Sequence, residues 1–327
     1  MDPQLQQRLM MYGGFIPGGI SLVLLIAAWY IHAFKKSRVD HLDQVDDEDG
    51  EDSVGLQGVS NGPRWMLPLM LLVGFAGADY AANYTFHLWP DGNNYRFTHA
   101  IALIALVGML EGYVRLPMLV AFGFRALAFG GAFWMLAEGY VDSVFGGTPS
   151  FIGSAVFAAL AGALISTAAD RNSEETPAWV DSISWIVIAG ASMPILLQNH
   201  FSIGAMIPAG IIAVLVSTLI TGLIFRDLRL SRGGVTVLVG LMLTMLTGSI
   251  IQTGVDNLVS VLLLALSPMM LAVPMKGTAG VRKLAARLIL LVVILGSAGA
   301  MLYWTGSEAG LGDENEYPQD SAYESTP

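Results

Sequence analysis

The chain has no cysteine among its 327 residues, which excludes disulfides, a thiolate nucleophile, cysteine-ligated zinc and iron–sulfur clusters. Redox compartment is therefore not written in it. Charge is scarce too: Asp, Glu, Lys and Arg make up 13% of the residues, about half the usual share of a soluble domain. Histidines number five. His32, His87, His99 and His200 fall near the ends of apolar runs, so the paired mid-helix imidazoles that hold haem in membrane cytochromes are missing. No HExxH, no phosphate-cradling glycine loop and no serine on a glycine-rich turn with a histidine partner is present. Nothing combines basic and aromatic residues in the manner of nucleic-acid binders. The expectation is a protein that is not an enzyme and has no cofactor, no metal site and no nucleic acid partner.

What the sequence has in abundance is apolar surface. At 54% hydrophobic residues and a mean hydropathy of +0.61 it reads as an integral membrane protein, with the lipid bilayer as its first partner. A crossing helix needs about 20 apolar residues at ~1.5 Å each. Ten runs answer to that length, at 15–34, 65–84, 97–114, 117–140, 150–169, 179–197, 203–225, 234–252, 255–274 and 285–304. The expected fold is all-α, a polytopic membrane helical bundle of about ten transmembrane helices. With the N-terminus outside the cytoplasm, thirteen of the 16 lysines and arginines fall in cytoplasmic segments, Arg8 and Arg96 fall outside, and Arg125 lies within a helix. Cytoplasmic loops carry such an excess. Both termini are expected to be non-cytoplasmic, in a plasma or bacterial inner membrane.

The chain divides at the sequence level into an N-terminal segment with the first helix (1–34), a linker (35–64), a nine-helix bundle (65–304) and a tail (305–327). The first helix lacks a basic leader, with only Arg8 against Asp2, and Lys35-Lys36 follows it in place of a small-residue cleavage site. It is read as retained rather than as a signal peptide. The net charge of −10 belongs largely to the acidic segments 40–52 and 308–324. Such polar stretches bury too little to offset their ordering entropy, so linker and tail are expected to be disordered. The acidic run DDEDGED lacks the spaced ligands of an EF-hand. Gly310-Leu311-Gly312-Asp313 spells the GxGD string of intramembrane aspartyl proteases, but beyond the last apolar run, where no second aspartate can face it inside a membrane.

Ionisable side chains inside a bilayer are costly and mark function by default. Nearly all of those within apolar runs, namely Asp79, Glu111, Arg125 and Glu138, lie in the stretch from Trp65 to Tyr140. Asp79, Asn83 and His87 stand at i, i+4 and i+8 on one helical stripe. Asp79 lies roughly 21 Å along the helix from Trp65, in the outer half. His99 and Glu138 reach a similar depth from the next helices. Together these five could line an outward-facing polar pocket, in which a carboxylate and two imidazoles exchange protons or hold a cation. The plainer alternative is a carboxylate bonded to its neighbour, with the other groups interfacial. Glu111 and Arg125 flank the Leu116-Pro117 turn at depths only ~5 Å apart, which permits an ion pair, with Arg115 as the competing i+4 partner of Glu111. That pair either fixes the hairpin register or opens as a gate.

Two functions remain on the sequence. One is a transporter-like permease of a small solute or ion, coupled to protons or cations through Asp79. The other is a non-catalytic membrane subunit or scaffold whose buried charges fix helix packing or dock a membrane protein partner. Five spans before and five after the 170–178 loop would allow an inverted repeat. Met66-Leu67-Pro68 and Met206-Ile207-Pro208 match across the halves, but Leu219 stands at the position equivalent to Asp79. Pro194, Pro208 and Pro268 fall inside later spans, and Asp181 and Gln252 near span ends, where hydration makes a polar group cheap.

Overall fold

A computed structural model describes residue 7 and residues 9–46, 64–83, 96–114, 116–173, 176–198, 201–225, 228–253, 258–272 and 280–310. Among these the chain is all-helical. A π-helical turn, Leu9–Phe15, leads into α1 (Ile16–Asp46), followed by α2 (Met66–Asn83), α3 (Arg96–Tyr113), α4 (Met118–Ala137) and α5 (Thr148–Asp170). The second half holds α6 (Ala178–Gln198), α7 (Ser202–Ile224), α8 (Arg232–Thr253), α9 (Leu258–Leu266) and α10 (Gly280–Gly310). Seven of the helices are long and apolar enough to cross a membrane, which makes this an integral membrane protein. The remaining three depart for visible reasons. The apolar stretch of α2 is short, α3 carries Arg96, His99 and Glu111, and α9 tightens into a 3-10 turn, Ser267–Ala272. Pro268 accounts for that change, since it has no N–H to continue the α-helical ladder.

Helix α1 runs on through Asp46, into the segment expected to be a linker. Residues such as Ala33, Lys35, Lys36, Leu42 and Gln44 are good helix formers, and charge alone does not stop a helix. Likewise α10 continues through Gly310, past the expected tail boundary at 305. The rest of both acidic segments, 47–63 and 311–327, lies outside the described residues.

The axis of the bundle is α8, of whose apolar window 83% is buried, against 17% for the first span and 22% for the last. It packs on α3 and α5, while α7 packs on α6, α2 and α1, and α10 on α6 and α9. A chain with so little charge orders its helices by van der Waals fit, since lipid tails are as apolar as leucine. Two crossings are therefore made through glycine. A Cβ on Gly233 of α8 would fall 1.8 Å from the Gly108 carbonyl oxygen of α3, and one on Gly210 of α7 would fall 2.2 Å from that of Gly74 in α2.

At one end the α4–α5 connection turns through Gly146 (φ +66°) and Gly147 (φ +123°), conformations that side chains oppose. Edge-on contacts of Phe145 with Phe133 (5.8 Å) and Phe151 (5.6 Å), and of Trp134 with Phe151 (4.7 Å), hold that turn down. The other end collects most of the arginines and is bound together by hydrogen bonds. Ser231 caps α8 by accepting from Gly234 N–H (3.1 Å) and donates to the Arg64 carbonyl (2.8 Å), while Ala178 N–H donates to the Leu228 carbonyl (3.0 Å).

Gly233→Ala is expected to lower thermal stability in detergent despite a helix-propensity gain of ~1 kcal/mol, because the methyl meets backbone. Gly123→Ala, where a Cβ meets nothing within 4 Å, is expected to be neutral or mildly stabilising. Equal melting temperatures for the two variants would contradict the close crossing.

Candidate functional site

The deepest polar feature is centred on Arg125, on the second turn of α4 and 2% exposed. Glu111 sits in the last turn of α3, and the tight Leu116-Pro117 connection returns the chain so that the two side chains meet. Arg125 Nε donates to Glu111 Oε1 (2.8 Å) and Nη2 to Oε2 (2.9 Å), a bidentate fork. The same Nη2 donates to Asp170 Oδ2 at the end of α5 (3.0 Å), and Nη1 to Thr167 Oγ1 (3.2 Å). Thr236 of α8 donates to Glu111 Oε2 (2.8 Å) and accepts from Ser166 Oγ (3.2 Å). Ser173 donates to Asp170 Oδ1 (2.7 Å), and Arg232 Nε stands 3.7 Å from Oδ2. Two carboxylates and two guanidiniums balance to zero charge and tie four helices, α3, α4, α5 and α8, at one depth.

A second buried pair lies at the same end. Arg287 of α10 bonds Asp181 of α6, Thr176 (3.2 Å) and the Leu271 carbonyl (3.2 Å) that ends the 3-10 turn. Asn172 donates to that carbonyl as well (3.1 Å). Asp181 is 3% exposed and Arg287 2%. This corrects the reading of Asp181 as a hydrated span-end group: packing of α10 against α6 and the 3-10 turn buries it with Arg287.

Asp79 is 8% exposed in α2 and accepts from Thr98 Oγ1 of α3 (3.0 Å). It lies just over one turn beyond Gly74, where α2 meets α7. His99 is half-buried on α3 beside Thr98. Glu138 lies at the end of α4 and pairs with Arg96 (3.2 Å), with side chains 58% and 27% exposed; such a surface pair contributes little. His87 and Arg115 lie outside the described residues, as does the side chain of Asn83. The sequence therefore supplied the Glu111 and Arg125 hairpin geometry but missed Asp170, Thr167, Ser166 and Thr236. A weak signal was available in these hydroxyls and the terminal aspartate, since an intramembrane arginine with five donors needs more acceptors than one carboxylate.

A cavity of about 730 Å³ begins beside this network, at Ile165, and runs away from it along α5 to Ser150. Its walls come from α4, α5, α8 and α9, with Phe129, Phe133, Phe145 and Phe157 among them and Ser154, Thr244 and Thr247 as polar points. Phe129 is one turn above Arg125, so cavity and ion network are stacked about 6 Å apart along α4. No protein-family model, curated protein or solved structure matches the chain.

Arg125→Met would leave Glu111 and Asp170 facing each other without their shared cation, and should destabilise by about 3–5 kcal/mol. Glu111→Gln with Arg125→Met should recover part of that loss, giving a coupling above ~1 kcal/mol in chemical denaturation. Strictly additive losses would mean that the contact is incidental.

Proposed function

We propose that the chain is a transporter-like permease of a small solute or ion, crossing the membrane ten times with both termini outside the cytoplasm, and coupled to protons or cations through Asp79. The observation that carries this reading is the uneven closure of the bundle. Both buried ion networks, the Arg125 hub and the Asp181–Arg287 pair, fasten the arginine-rich end, whereas the Arg96–Glu138 pair at the opposite end is part-exposed. Alternating access requires one end sealed while the other is open, with the seal built from interactions that can be exchanged. Charge-assisted hydrogen bonds suit such a seal, because they are strong when desolvated and weaken once water enters.

Asp79 fits the coupling role by position. It is a buried carboxylate in the half opposite the sealed end, beside the α2–α7 crossing that an inverted five-plus-five arrangement would place at its pseudo-symmetry axis. Its Thr98 hydroxyl partner can accept as well as donate, so it can serve the ionised or the protonated acid. The positive-inside pattern favours a plasma or bacterial inner membrane.

A second reading is favoured by one observation. At least four of the five donors of Arg125 are used, which suits a permanent clamp in a non-catalytic subunit or scaffold.

Asp79→Asn keeps shape and removes charge. In proteoliposomes carrying a trapped pH indicator and screened with small solutes and cations, the wild-type chain is expected to give a solute-dependent proton flux. The variant is expected to lose it roughly tenfold or more, equivalent to at least ~1.4 kcal/mol, at unchanged melting temperature. A folded variant with wild-type flux would remove Asp79 from the mechanism, and a wild-type chain silent throughout the screen would favour the scaffold.

A further inference from the structure

The 730 Å³ cavity has a shape that goes beyond the permease reading and does not depend on it. It runs along α5 from Ser150 to Ile165, about 22 Å at the helical rise. Its inner wall is made by buried residues of α4 and α8, such as Ala132 and Ile251, while Phe157, Leu262 and Leu266 at its margins are 74%, 50% and 46% exposed. In a membrane protein those margins face lipid hydrocarbon, so the cavity is a crevice open to the side of the bundle. Below, the 3-10 turn Ser267–Ala272 packs on α5 and closes it.

Size separates the possible occupants. A helix ~10–12 Å wide would fill roughly 1,700–2,500 Å³ over that length, well over twice the space. An extended alkyl chain about 5 Å across would take roughly 430 Å³ by van der Waals contact distances. A partner helix is too thick to enter whole and could only lie across the mouth, whereas one acyl chain enters fully with room for part of a second. The lining agrees with this choice, being apolar and aromatic with no ionisable group in it.

We infer that the crevice between α5 and α9 is a binding site for the acyl chain of a membrane lipid, which occupies it as a bound ligand rather than as exchanging solvent. Gly153 provides the test, since it lines the crevice and a Cβ there meets nothing within 4 Å; a larger side chain can enter the space without displacing the fold. Gly123 has the same freedom on α4 but lies outside the crevice. Full-length protein would be equilibrated with phosphatidylcholine in detergent and examined by native mass spectrometry.

The wild-type chain and Gly123→Phe are expected to retain one phosphatidylcholine. Gly153→Phe and, as a second filler, Ala161→Phe are expected to lose at least five-sixths of that occupancy while remaining monodisperse. Loss in either monodisperse filler supports the site. A wild-type chain that carries no lipid, a self-associated chain with no lipid adduct, or filled variants that keep the lipid would each overturn it. Should neither filler be monodisperse, displacement of the bound lipid by lysophosphatidylcholine decides: competition at one-to-one stoichiometry supports the site, and simple addition of the second lipid overturns it.

Discussion

An arginine cannot shed its charge by losing a proton in a protein, and Arg125 is nearly sealed from solvent within an apolar helix. That one constraint organises the arginine-rich half of the molecule. The guanidinium must find acceptors, its own helix has none to spare, and so α3, α5 and α8 are drawn to α4 at one depth. Glu111 arrives through the hairpin, Asp170 from the end of α5, and Thr236 of α8 holds the outer oxygen of Glu111. Each helix that supplies an acceptor also fixes a neighbour, since α8 crosses α3 through Gly108 and Gly233. Lipid supplies no hydrophobic drive between helices, so polar pairing and close backbone fit do the sorting.

The consequence is a bundle that is tight at one end and loose at the other. Asp181 and Arg287 repeat the device at the same end for α6 and α10, while the Arg96–Glu138 pair at the far end is part-exposed. A fully static protein has no need of such unevenness, although it tolerates it. A protein that changes which side is open has a direct use for it. The buried Asp79 lies away from the arginine-rich end, where the other buried carboxylates among the described residues, Glu111, Asp170 and Asp181, are found. That separation of the Arg125 and Arg287 pairs from the deep carboxylate of Asp79, bonded to Thr98, is the physical basis for the permease reading.

Much of the fold was legible in the sequence, because apolar run length maps directly onto helix length. The helices fall close to the runs, and the all-helical membrane class follows. The number that cross the membrane is less direct. Glu111 and Arg96 dilute α3, and Pro268 breaks α9, so composition marks seven helices as long and apolar enough. The site was legible only where its partners are near in sequence. Glu111 and Arg125 share a hairpin, so helical rise alone sets them level. Asp170 lies 45 residues beyond Arg125 and Asp181 lies 106 before Arg287. Their pairing depends on which helices are neighbours in the bundle, and short loops do not determine that. Thr98 gives no sign in the sequence that it bonds Asp79, because a hydroxyl is common in apolar helices and its partner lies on the neighbouring one.

The central claim is that the Arg125 network is a seal that opens, and the absence of native cysteine lets one residue report on it. Ser166 is fully buried and donates to Thr236 within the network, and Ser166→Cys changes its volume little. Inside-out and right-side-out vesicles would be treated with a membrane-impermeant maleimide, and the rate of labelling compared with that of global unfolding. An opening seal is expected to give labelling from the arginine-rich face only, faster than unfolding, and faster again when the Asp170 bond is weakened by Asp170→Asn. Labelling no faster than unfolding, from either face, would show a permanent clamp and contradict the permease account.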